Sequence, residues 1–152
     1  MELQKIYPLS NESIDEIAEK VTVFLTELKT ERKNLLQIRL VIEDFLLDWQ
    51  THFSAQSNVY VKMGKRFGRP YIRIELEGEA YNPIGKESED FGIYRNRLMA
   101  NMGLSPLYSY THGTNRLLFK LKKPSAHPFV TLAASILLGL LAGGCGLWLP
   151  DT

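Results

Sequence analysis

Cysteine is nearly missing from this chain of 152 residues: Cys145 stands alone, so no internal disulfide framework exists. An excess of one charge is missing too. Eighteen lysines and arginines face 17 aspartates and glutamates, a balance that gives no field for holding a nucleic-acid backbone. No P-loop, no Cys/His metal spacing and no Ser, His and Asp in a locally supported order occur in the chain. From Pro124 to Pro150 there is no Asp, Glu, Lys or Arg at all. That last absence divides the chain.

The run PFVTLAASILLGLLAGGCGLWLP within 124–150 is apolar or small almost throughout, and about 20 apolar residues cross a bilayer core as a helix. It lies at the wrong end for a signal peptide. A buried core helix is the alternative, but Gly139, Gly143, Gly144 and Gly146 weaken a helix in water and are tolerated in a membrane. Lys120, Lys122 and Lys123 precede the run and only Asp151 follows it. The positive-inside rule then leaves 1–123 in the cytoplasm and the protein at the cell membrane. Ser135, Gly139 and Gly143 recur every four residues, a stripe that would let another membrane helix approach closely; frequent glycine is also ordinary in such helices. A span this near to Thr152 reads as a chain cut short.

Residues 1–123 hold 18 basic and 16 acidic residues, Asp151 being the one acid beyond them. Glu2 to Tyr7 alternates weakly, as an edge strand closed by Pro8. SNESIDE offers Ser and Asn caps, with Ser13 and Glu16 spaced as a capping box. Ile14, Ile17, Val21, Phe24, Leu25 and Leu28 predict a helix with one buried face, and Leu35, Ile38, Ile42, Phe45 and Trp49 a second one over about 31–49. The period then changes to 2. NVYVKMGKRF and YIRIELEG predict a hairpin with Val59, Val61, Met63, Ile72, Ile74 and Leu76 inside and Arg73, Glu75 and Glu77 outside. YNPIGKESEDFG is a loop, Tyr94 to Met102 a short helix, THGTN a turn holding His112, and RLLFKLKK a final strand, with Tyr108 and Tyr110 as strand-side packing residues. The expected architecture is α+β: a two-layer sandwich with helices on one face of a mixed, mainly antiparallel sheet, followed by one transmembrane helix.

This order, with VIEDFLLDWQTHF on the second helix, resembles the GHKL-type ATP-binding domain of gyrase, the ninety-kilodalton heat-shock chaperone, histidine kinases and MutL, and within it the anti-sigma-factor kinases. The resemblance covers about Ile6 to Lys122. It implies a histidine-kinase-like ATPase fold and ATP with magnesium as the cofactor pair. The family helix reads Glu, three residues, Asn, for the catalytic acid and the magnesium ligand. Asp44 takes the first place, as the candidate catalytic base, and Asp48 the second, as the candidate metal ligand, with His52 one turn further on the same face. Three such side chains at i, i+4 and i+8 also make a divalent-ion face in their own right. The plain alternative is a solvated stripe opposite Ile42, Phe45 and Trp49.

The family's Asp-x-Gly-x-Gly corresponds to LEGEAYNP, where Gly78 fits the first glycine, Ala80 replaces the second and Leu76 stands where the adenine-binding acid is expected. Leucine accepts no hydrogen bond, and Glu75 or Glu77 would substitute only by a register slip that turns the pleat over. ESEDFGIYRNRLMANMGLSP has no Gly-x-Gly for phosphates, and Glu87, Glu89 and Asp90 repel them. Gly113 and Thr114 in THGTNRLLFKL resemble the family's closing Gly-Thr. The nucleotide-binding candidates implied by the resemblance are thus Asp44, Asp48, Gly78, Ala80, Gly113 and Thr114, on a domain whose markers of shape persist while those of chemistry are eroded.

TLAASILLGLLAGGCGLWLPDT is similar to the opening helix of sodium- or proton-coupled dicarboxylate and glutamate symporters. The expectation is a non-catalytic regulatory or ligand- or partner-binding domain at the N-terminus of such a symporter, partnered by the remaining transporter helices or another membrane protein. The competing expectation is a membrane-anchored ATP-binding protein or serine-kinase-like ATPase; a third is an aid to folding or assembly of the membrane part. KRFGR, with Lys65, Arg66 and Arg69 around Phe67, reads as a solvated hairpin tip or one touching anionic headgroups rather than as a nucleic-acid patch.

Overall fold

The computed structural model describes residues 2–53, 56–84, 90–102 and 104–122, without the side chains of 90–94. Eight elements follow in order: β1 (Leu3–Pro8), α1 (Asn11–Glu27), α2 (Arg32–His52), β2 (Asn58–Arg66), β3 (Arg69–Glu77), α3 (Asp90–Met102), β4 (Leu107–Thr111) and β5 (Thr114–Lys120). The expected membrane span over 124–150 lies outside the described residues, as do Glu87 and Glu89. Among the described residues no helix is long and apolar enough to cross a membrane.

Ser10 starts α1. Its backbone is extended and its hydroxyl accepts from the Ser13 amide at 3.2 Å, satisfying one of the donors a helix start leaves open. The expected box at Ser13 and Glu16 is therefore one turn late. α1 buries Ile14, Ile17, Val21, Phe24 and Leu25, and α2 buries Leu35, Ile38, Ile42, Phe45 and Trp49, as their spacing predicts.

The five strands form one sheet in the order β1-β2-β3-β5-β4, and all four pairings are antiparallel. The expected mixed sheet is thus corrected. Two helices link β1 to β2, so the chain goes out along one and back along the other, and β2 starts beside the end of β1, with Pro8 opposite Asn58. Similarly, α3 and β4 together return the chain to the end of β3, where Thr114 pairs with Glu77. β4 has no counterpart among the elements expected from sequence. LYSYT has strand-favouring Tyr and Thr but buries no position fully, and Leu107 is 52% exposed, so it lacks the apolar alternation that marks the other strands.

Val59, Val61, Met63, Ile72, Ile74, Leu76, Leu117 and Phe119 are buried on the face under the helices. The other face is polar: Glu75 there meets Arg73 at 2.9 Å and Arg116 at 2.8 Å. Every member of the core cluster lies between Tyr7 and Phe119. Each full burial of an aliphatic or aromatic side chain contributes about 1.5–3 kcal/mol, so this cluster is the main stabilising term of residues 2–122.

Candidate functional site

The helical repeat places Asp44, Asp48 and His52 along one edge of α2, beside its buried face. His52 is exposed, as a solvated stripe requires, but the two aspartates are not. The side chains of Asp44 and Asp48 are 15% and 22% exposed, and Arg95 reaches them from α3. Its Nη1 donates to Asp44 Oδ2 and lies 3.6 Å from Asp48 Oδ2, while Nη2 donates to the Pro83 carbonyl at 2.8 Å. The guanidinium also lies over the Phe45 ring, 4.1 Å from its centroid. Arg95 is only 2% exposed, and a buried charge of this kind is tolerable only where opposite charge and hydrogen bonds offset its desolvation. Asp44 and Asp48 supply that charge. Arg95 Nε has no hydrogen-bond partner among the described residues, so the arrangement is tight without being fully satisfied.

The described part of the strand-to-helix loop, 78–84, packs on the same edge. Tyr81 donates its hydroxyl to Asp48 Oδ1 at 2.9 Å, and His52 stacks on the Tyr81 ring at 3.9 Å with Nε2 3.2 Å from Glu79 Oε1. Asn115, fully buried on β5, holds this loop in place. Its Nδ2 donates to the carbonyls of Leu76 at 3.2 Å and Glu79 at 2.9 Å; its Oδ1 accepts from the Tyr81 amide at 2.8 Å and the Tyr108 hydroxyl at 2.6 Å. Burial pushes the Tyr108 phenol up, which keeps it a proton donor. Tyr110 adds a bond to the Gly78 carbonyl at 2.7 Å.

The sequence candidates therefore fall into two groups. Asp44 and Asp48 meet on Arg95, with His52 one turn further along. Gly78, Gly113 and Thr114 meet at the joined ends of β3 and β5, where the Gly78 amide donates to the Gly113 carbonyl at 3.0 Å. Tyr81 links the groups, and Ala80 lies exposed in the loop between them. His112 sits in the β4–β5 turn, as expected.

These residues do not fit a magnesium nucleotide. A divalent ion on Asp48 would compete with a guanidinium already held on four sides. Leu76, where the resemblance expects an adenine acceptor, is 1% exposed inside the core. Gly78 has φ 149, and a Cβ there would lie 3.0 Å from Phe53, so an aromatic ring fills the space beside the glycine.

Asp44 also lines a concavity. It is a groove of about 400 Å³ between the start of α1 and the middle of α2, lined by Ile14, Leu40 and Leu47 with Asp15, Glu43 and Asp44. Burial raises the Glu43 carboxyl above its ordinary value; Arg39 opposes this and Asp15 adds to it. Among the described residues no cluster of three or more His, Cys, Asp or Glu has metal-binding geometry.

No protein-family model matches the chain, and no curated protein matches it. Arg95 and Asn115, the two residues on which the site turns, carry no signal in the sequence. Their weight comes from which strand and helix cross above α2, and no local spacing states that.

Proposed function

We propose that the domain preceding residue 124 is a non-catalytic regulatory module of the histidine-kinase-like ATPase fold, at the cytoplasmic N-terminus of a membrane symporter of dicarboxylates or amino acids. One observation carries the loss of catalysis. The two carboxylates that stand at that family's positions for the catalytic acid and the magnesium ligand, Asp44 and Asp48, are engaged by the buried Arg95, which offers positive charge in a form that cannot activate water. A guanidinium stays protonated at any working pH and has no open coordination position. The groove beside Asp44, with an apolar floor and acidic rim, is the surface left for a small ligand or a docking partner. The uncharged run 124–150 supports the attachment to a membrane.

Calorimetric titration of residues 1–123, which include the whole core cluster, with ATP and magnesium tests the first part. A folded fragment is expected to give no heat up to millimolar ATP. Heat that appears in the wild type and disappears in Asp48→Ala would mean a working nucleotide site and would overturn the proposal.

A further inference from the structure

At the end of the sheet away from Asp48, the β2–β3 hairpin turns through Phe67 and Gly68, with Arg66 paired to Arg69. Both turn residues have positive φ, 54° and 77°, the geometry of a two-residue turn that suits Asn-Gly and strains a bulky side chain. Phe67 is also 91% exposed. The ring meets the Arg66 guanidinium, 5.8 Å from its centroid, and Phe67 is not part of the hydrophobic core. Around it lie Lys65, Arg66 and Arg69, all exposed.

The chain leaves the sheet at this same end. Lys120 pairs with Tyr71, and the Leu121 amide donates to the Pro70 carbonyl at 3.0 Å, which sets Lys120 and Lys122 beside the hairpin tip. Five cations therefore share one end with the exposed ring. None of the five has an ion-pair partner among the described residues. The acid nearby is Glu2, whose side chain lies against Gly64. Two residues after Lys122 the uncharged run 124–150 begins.

We infer that this end of the sheet is a membrane-docking surface, in which Lys65, Arg66, Arg69, Lys120 and Lys122 face anionic lipid headgroups and Phe67 enters the interface as a wedge. The inference rests on the membrane attachment proposed above. Its occupant follows from charge and from the exit of the chain: each Lys or Arg near an anionic leaflet gains attraction that fades within a Debye length, and aromatic rings favour the interfacial zone. A docked tip fixes the domain over the start of the span, with the α1–α2 groove on a separate face.

The test uses the full chain reconstituted in phosphatidylcholine vesicles with and without phosphatidylserine. Alkaline carbonate extraction reads the span; added trypsin, with cleavage after Lys65 and Arg66 followed by mass spectrometry, reads the tip, since Pro70 protects the bond after Arg69. Cleavage is expected to slow by about tenfold in the anionic vesicles, an effect that high salt removes. The variant Phe67→Asn with Lys120→Gln and Lys122→Gln keeps the cleavage sites, and its rates in the two vesicles are expected to converge. Equal wild-type rates in a chain that resists extraction overturn the docking surface and leave the span standing. Extraction with slower anionic cleavage supports the surface and removes the span as anchor. Extraction with equal rates overturns both.

Discussion

Asn115 makes four hydrogen bonds with one amide group, to Leu76, Glu79, Tyr81 and Tyr108, and is fully buried. Removing it leaves backbone groups in the interior without partners, each costing about 1–3 kcal/mol. Asn115→Ala is therefore expected to lower stability by about 3 kcal/mol in urea denaturation, with the loop 78–84 the first segment to exchange its amides. Glu43 behaves in the opposite way. Its carboxyl is raised by burial, so the folded state binds its proton more tightly than the unfolded state does, and stability from this group is present at acid pH and lost as pH rises through the raised value. Glu43→Gln is expected to raise the unfolding midpoint at pH 7 and to leave it unchanged near about pH 3, where both states are protonated. Legibility at this scale is uneven. The α2 spacing by itself brings Asp44, Asp48 and His52 to one edge, whereas Arg95 lies 51 residues beyond Asp44 on a helix whose own sequence gives no sign of what it faces.

Elements with a strong period are legible and those without are not. The alternation in β2, β3 and β5 and the threes and fours in α1 and α2 determine their buried faces directly. β4 escapes because its strand lies at the sheet edge with almost nothing buried, and it is held by its pairing with β5. Both tight hairpins use a non-glycine residue at positive φ before a glycine: Phe67-Gly68 and His112-Gly113. Replacing Phe67 by Asn gives the pair that this turn favours. Phe67→Asn is expected to stabilise the domain by about 1 kcal/mol in water, read as a higher urea midpoint at constant slope. A loss of stability would mean that the ring packs on something in the fold.

At the scale of the whole molecule, the antiparallel sheet gathers different kinds of residue at its opposite ends. One end gathers Asp44, Asp48, Tyr81, Arg95 and Asn115 into a closed polar cluster; the other gathers five cations, Phe67 and the exit toward 124–150. Only the second arrangement is legible from charge and hydropathy, because those properties add along the chain, while closure of the first depends on α3 crossing over α2. The central point is that the carboxylates of α2 are spent on an internal cation. A double-mutant cycle between Arg95→Met and Asp44→Asn, measured by urea denaturation of residues 1–123, tests it most directly. Loss of one partner leaves the other charge buried, so each single change should cost more than its share of the double change. The expected coupling is about 2 kcal/mol; a coupling under about 0.5 kcal/mol would mean that Arg95 does not hold Asp44, and that the site is open to another cation.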